Sequence, residues 1–155
     1  MKQRGGRTII AIATTNNQTT MKTILLIEHN NDFLENLTEY LEIEGYNILG
    51  TNNGKIGLEL ANKFIPDLIV CDILMPKMDG YEVLRFLSET AQTSLIPFIF
   101  STTMSEKNYL TRALEQGADD YLVKPYELDT LLKKVKHCIQ YESRRCNKDL
   151  HLSVN

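Results

Sequence analysis

Pro66-Asp67-Leu68-Ile69-Val70-Cys71-Asp72-Ile73-Leu74-Met75-Pro76-Lys77-Met78-Asp79-Gly80 is the stretch that decides the fold. Leu68 to Cys71 run apolar without interruption and stop at a carboxylate, Asp72. A strand in a parallel sheet covered by helices reads this way, because neither of its faces alternates toward water. Met75-Pro76 and Asp79-Gly80 then break the chain into an irregular loop, ahead of a helix carried by Val83, Leu84 and Leu87. The unit is a buried strand, a polar residue closing it, a loop and a helix.

The same unit recurs on both sides. Upstream, Ile24 to Ile27 form an apolar run that ends at Glu28-His29-Asn30. Asn31 or Asp32 is expected to cap a helix through Phe33, Leu34, Leu37, Leu41 and Ile43, and Gly45 to stop it. Tyr46 to Gly50 read as a second strand and Gly54 to Phe64 as a second helix, closed by Pro66. Downstream, Pro97 opens a strand from Phe98 to Phe100 that ends at Ser101, and a helix near 106–116 is stopped by Gly117. Tyr121 to Val123 form the last strand, ending at Lys124-Pro125, before a helix from Leu128 to Tyr141. Five such units without repeats or low-complexity blocks predict a single doubly wound, flavodoxin-like α/β domain with a five-stranded parallel sheet and five helices.

Composition agrees with one domain. The chain has 155 residues, 43% of them hydrophobic, and its 17 basic and 20 acidic side chains give a net charge of −3. That balance is too weakly acidic for a disordered tail and too weakly basic for a nucleic-acid footprint. No apolar run approaches the ~18 residues that span a bilayer, so no membrane association is expected. Residues 1–20 read as a flexible polar, basic extension: Lys2, Arg4 and Arg7 precede Ile9 to Ala13, a stretch shorter than the ~7 to 15 apolar residues of a secretory signal. The domain is expected over 21–141, with 142–155 a short tail and no output domain. Cys71, Cys138 and Cys146 are odd in number and widely spaced, which offers neither a disulfide framework nor a CxxC site and suits a reducing cytoplasm.

In open α/β sheets ligands bind outside the carboxyl ends of the strands, near the point where strand order reverses. Those ends carry Glu28 and His29, Asp72, Ser101 and Lys124. Each alone is only where a strand meets water. Together they have a chemical logic: a carboxylate attacks phosphorus to form an acyl phosphate, neighbouring oxygens hold a hard cation such as Mg²⁺, and ammonium and hydroxyl groups bind phosphoryl oxygens.

At these residues the chain resembles the receiver domain of two-component response regulators. The matching segments are Ile24 to Glu28, Pro66 to Gly80, Ile96 to Ser101 and Gly117 to Pro125, with Asp-x-x-Met-Pro-x-Met-Asp-Gly the most specific. The resemblance spans about Met21 to Tyr141. It implies that Asp72 accepts a phosphoryl group from a histidine kinase or a phosphotransfer protein, making the chain a phosphoryl acceptor rather than an enzyme. It implies that Glu28 and Asp72 hold Mg²⁺ together with the backbone carbonyl of Leu74, and that Ser101 and Lys124 bind phosphoryl oxygens. Ser101 moves toward the phosphoryl group and Tyr121 turns inward with it as the aromatic switch. The Lys124-Pro125 bond is often cis in the family, making Pro125 a structural residue. A separate output protein is expected on the face of the fourth helix, fifth strand and fifth helix, with homodimerisation left open.

Two positions depart from the family pattern. His29 stands where a second acid usually binds Mg²⁺ directly, and imidazole is a poor ligand for a hard cation. Weakened Mg²⁺ binding is expected, with Mn²⁺ better tolerated. The alternative is a pseudo-receiver, a protein-interaction module working without phosphate. Thr102 follows Ser101 where Ala or Gly is common, adding bulk near the phosphoryl site. With Leu74 and Thr103 it is expected to slow hydrolysis of the acyl phosphate. Leu74 also argues against an aspartyl phosphatase, which places a second acid there. The acids after the first strand argue against a flavodoxin-like electron carrier, whose flavin phosphate they would repel.

Overall fold

The computed structural model describes residues 20–152, with side chains described through residue 141. The expected N-terminal extension, apart from residue 20, lies outside the described residues, as does the side chain of Cys146. Five strand-helix units follow one another in sequence: β1 (Thr23–Ile27), α1 (Asn31–Ile43), β2 (Asn47–Thr51), α2 (Gly54–Phe64), β3 (Leu68–Cys71), α3 (Gly80–Ser88), β4 (Phe98–Thr102), α4 (Lys107–Glu115), β5 (Asp120–Val123) and α5 (Leu128–Leu152). All strands are parallel, in the order β2-β1-β3-β4-β5. This is the flavodoxin-like (β/α)5 architecture.

The uninterrupted apolar runs are explained by two packed layers. Leu25, Ile27, Ile69, Cys71, Phe98 and Phe100 project into one cluster with Tyr81, Val83 and Ala113. Their sequence neighbours Ile24, Leu26, Leu68, Val70 and Ile99, with Leu122 of β5, project into the other, against Leu37, Leu41, Leu131 and Val135. Alternate strand residues thus bury into opposite layers, one covered by α2, α3 and α4, the other by α1 and α5. Each fully buried aliphatic or aromatic side chain contributes about 1.5 to 3 kcal/mol to this packing.

The boundaries differ from the sequence reading in local ways. Asn30, not Asn31 or Asp32, caps α1, its Oδ1 accepting from Phe33 N at 3.0 Å. β2 starts at Asn47 because Tyr46 N donates to Leu41 O and belongs to the end of α1. Gly45 has φ 94°, the left-handed turn that the exit from α1 requires. β4 continues to Thr102, whose carbonyl accepts from Lys124 N at 2.8 Å. The backbone of α5 stays helical to Leu152, past the expected end at Tyr141. No helix among the described residues is long and apolar enough to cross a membrane.

Candidate functional site

Strand order reverses between β1 and β3, opening a crevice at their carboxyl ends. Register decides what enters it. Ile27 pairs with Cys71 and Cys71 with Phe100, so Glu28, Asp72 and Ser101 emerge side by side. Each lies two residues beyond a member of the α1/α5 layer (Leu26, Val70 and Ile99), and Lys124 lies two beyond Leu122. Period-two alternation therefore turns all four toward the same side of the sheet.

The centre is an ion-paired cluster. Lys124 Nζ lies 2.5 Å from Glu28 Oε2 and 3.4 Å from Asp72 Oδ2. The remaining oxygens accept from backbone: Glu28 Oε1 from Asn30 N at 2.9 Å and Asp72 Oδ1 from Leu74 N at 3.2 Å. Glu28 is 3% and Asp72 7% exposed, so the two carboxylates sit close together in a largely desolvated place. Like charges so placed repel, and the ammonium is what makes the arrangement tenable. Removing one partner from a buried ion pair typically costs about 3 to 5 kcal/mol. Lys124 Nζ also lies 4.8 Å from the Phe33 ring centre, a cation-π contact. Above the cluster is a cleft of about 570 Å³ walled by His29, Phe33, Leu74, Thr103 and Tyr126.

A close approach behind Asp72 fixes its position. Gly80 N donates to Ile73 O at 2.9 Å, and a Cβ on Gly80 would collide with the Asp72 carbonyl oxygen. Asp79 and Glu82 close a reciprocal capping box at the start of α3, which ends the loop against the strand. Cys71, fully buried beside the site, donates from Sγ to Asp72 O. Burial pushes its thiol well above the ordinary range, and Asp72 and Glu28 add to the shift, so it serves as packing.

The hydroxyl residues require corrections. Ser101 is 1% exposed, and its Oγ shares a 2.7 Å hydrogen bond with Tyr126 Oη. It meets Glu28 and Asp72 across a void with no room for water, beneath the carboxylates rather than in the open cleft. Tyr121 lies on the opposite face. It pairs in register with Phe100, its ring centre is 6.3 Å from that of Phe100, and its hydroxyl donates to Met104 O. The expected coupling of Tyr121 to a moving Ser101 therefore has no shared face to act through, because Tyr121 pairs with Phe100 and adjacent positions on a strand point to opposite faces. Thr102, two residues beyond Phe100, shares the Tyr121 face. It is wholly buried, and its Oγ1 takes only a long 3.5 Å bond from Met104 N. It does not overhang the cleft, where Thr103 stands instead.

Tyr121 is already turned inward, 8% exposed, and burial raises its hydroxyl pKa to about 12. Burial likewise raises Tyr126 to about 12, against the lowering effect of its bond with Ser101. The Lys124-Pro125 peptide is cis. Neither Phe33 nor Tyr126 is legible as a site residue in the sequence. Phe33 reads as an ordinary core position of α1, and the partner of Tyr126 is 25 residues away.

The donor set allows a test of the expected cation. Two carboxylates converge here, oxygen ligands of the kind a hard cation takes, and Lys124 already neutralises part of their charge. His29 is exposed in the cleft wall, and no group of three or more His, Cys, Asp or Glu side chains among the described residues is placed to hold a metal. Such a set fits an ion that keeps several of its waters, as Mg²⁺ does.

Comparison with known proteins gives a consistent picture. The model of the response regulator receiver domain family matches residues 24–136. Protein PilH of Pseudomonas aeruginosa is 37% identical over 115 residues, covering 74% of this chain and 95% of PilH. The transcriptional regulatory protein HprR of Escherichia coli is 41% identical over 113 residues, 73% of this chain but 49% of HprR. Histidine kinase P4 of Formosa agariphila is 36% identical over 125 residues, 79% of this chain and 9% of that protein. The chain thus spans about half of one of these relatives and a small part of another. Among solved structures, the receiver domain of a signal transduction histidine kinase from Syntrophus aciditrophicus matches with TM-score 0.71 and 35% identity, covering 77% of this chain and 90% of that one. Chemotaxis response regulator CheY4 of Vibrio cholerae matches with TM-score 0.73 and 27% identity, covering 77% and 99%.

Proposed function

The chain belongs to the family of response regulator receiver domains, homologous to regulators that receive a phosphoryl group in two-component signalling, and from that premise we propose that Asp72 is its phosphoacceptor. The observation that carries the reading is the convergence of Glu28, Asp72 and Lys124 beneath an open cleft. Asp72 Oδ attacks the phosphorus of a phosphohistidine on a histidine kinase or phosphotransfer protein. The new O–P bond forms as the donor's P–N bond breaks, with its electron pair returning to the imidazole. Lys124, already bridging the two carboxylates, then pairs with a phosphoryl oxygen without a large movement. Glu28, Asp72 and the Leu74 carbonyl would hold Mg²⁺, or Mn²⁺, which supplies charge neutralisation at the phosphoryl oxygens, and His29 leaves that set one carboxylate weaker.

The switch hydroxyl is reassigned. Ser101 is engaged with Tyr126, whereas Thr102 makes one long hydrogen bond and shares its face with Tyr121. Thr102 is the residue able to turn toward a phosphoryl oxygen and alter the packing of Tyr121 in the same movement. The signal leaves through the α4, β5 and α5 face to an output partner.

The test is intact-mass analysis of the full chain after acetyl phosphate with Mg²⁺. One phosphoryl group is expected on the parent and none on Asp72→Asn. No gain on the parent would leave a phosphate-independent interaction module, and persistence of the gain on Asp72→Asn would move the acceptor elsewhere.

A further inference from the structure

Lys124 is the only cation paired with the two buried carboxylates among the described residues, yet a lysine at a strand end is held by its own long chain only loosely. What fixes it is two residues further on. Tyr126 is anchored at both ends: its Oη shares a 2.7 Å hydrogen bond with Ser101 on β4, and its ring stands edge-on to Phe33 of α1 with centres 5.9 Å apart. Phe33 in turn carries the Lys124 ammonium on its face at 4.8 Å. Lys124 N donates to Thr102 O, so the backbone on the near side of the turn is tied to the same strand. Ser101 is 1% exposed and this is the one bond its hydroxyl is seen to make. A buried hydroxyl left without a partner is unfavourable, so the pair tends to stay closed.

We propose that Tyr126 is a positioning residue for phosphoryl transfer: latched to Ser101 by its hydroxyl and to Phe33 by its ring, it holds the Lys124-Pro125-Tyr126 turn so that the ammonium bridges Glu28 and Asp72. This rests on the reading of Asp72 as acceptor, and it gives Ser101 a role other than contact with the phosphoryl group. The latch lies on the α1/α5 face, separate from Tyr121 on the other side of the sheet. Misplacing a catalytic group by an ångström can reduce rate by up to about a hundredfold. Loss of the latch is therefore expected to slow phosphorylation about tenfold at saturating donor, with little change in the donor concentration for half-maximal rate.

The experiment uses the full chain as parent, Ser101→Ala, Tyr126→Phe and the double variant, with Ser101→Thr as the conservative replacement. Two quantities are measured: phosphorylation rate against acetyl phosphate concentration, and the Lys124 ammonium resonance by ¹⁵N NMR, assigned with Lys124→Arg. Each single variant is expected to lower the saturated rate and shift the Lys124 resonance. The double variant should do no more than either single one, and Ser101→Thr should restore both. Tyr126→Phe keeps the ring against Phe33, so it separates the hydrogen bond from packing. Effects that multiply in the double variant, or a Lys124 resonance unmoved in both single variants, would overturn the latch. If the parent takes no phosphoryl group, the proposed function falls, while the resonance still decides the latch.

Discussion

At the residue scale, the chemistry turns on a charge count. Two carboxylates and one ammonium share the site, with an exposed imidazole on the wall where a third acid is usual in the family. His29→Asp adds a carboxylate oxygen beside Glu28, and tighter Mg²⁺ binding follows, by about tenfold, with faster phosphorylation when Mg²⁺ is limiting. A metal titration followed by NMR checks it, and an unchanged affinity would mean that position 29 does not face the ion. Leu74 and Thr103 both wall the cleft, and Leu74 can neither orient nor deprotonate water. Replacing both, as Leu74→Asn with Thr103→Ala, should speed loss of the phosphoryl group severalfold, read as the decay of the phosphorylated mass after removal of donor. Thr102→Ala, by contrast, empties a buried position, so it should lower stability and uncouple Tyr121 without opening the cleft.

At the element scale, the exit from α2 departs from ordinary capping in a way that costs stability. Ile65, the C-cap of α2, has φ 45° and ψ 67°, a left-handed conformation that a β-branched residue rarely adopts. Its side chain is 43% exposed, so little packing opposes its removal. The left-handed conformation costs an L-residue about 1 to 2 kcal/mol, partly offset by the chain entropy that Gly loses on folding. Ile65→Gly should therefore stabilise the protein by about 0.5 to 1 kcal/mol, measured as a higher urea midpoint with an unchanged slope. A lower midpoint would mean that the exposed Ile65 side chain packs more than its surface suggests.

At the scale of the whole molecule, buried phenols make the fold sensitive to alkali. Tyr121 and Tyr126 hold their protons to about pH 12 in the folded chain, against about 10 when unfolded. A raised folded pKa means that the native state binds the proton more tightly. Their contribution is thus complete below pH 10 and is lost as pH rises from 10 toward 12, where the unfolded chain ionises first. Ultraviolet titration should find a late-ionising class of tyrosines that includes Tyr121 and Tyr126, with urea stability falling over the same interval. Tyr126→Phe should remove one late phenol and flatten the fall.

The sequence by itself determined the sheet, its parallel sense, the order of units and the residues at the strand ends. Unbroken apolar runs closed by polar residues are local patterns that no tertiary contact is needed to read. It also placed Glu28, Asp72 and Lys124 at one edge, because parallel strands share a direction. Only the tertiary structure decided which neighbours these residues meet. Ser101 and Thr102 are adjacent hydroxyls in sequence, and period-two alternation sends one to Tyr126 and the other to the face of Tyr121. Which goes where depends on the register of β4 against β3 and β5. Likewise Tyr126 becomes part of the site through a partner on β4 and a ring on α1, contacts set by how distant segments pack rather than by any pattern along the chain.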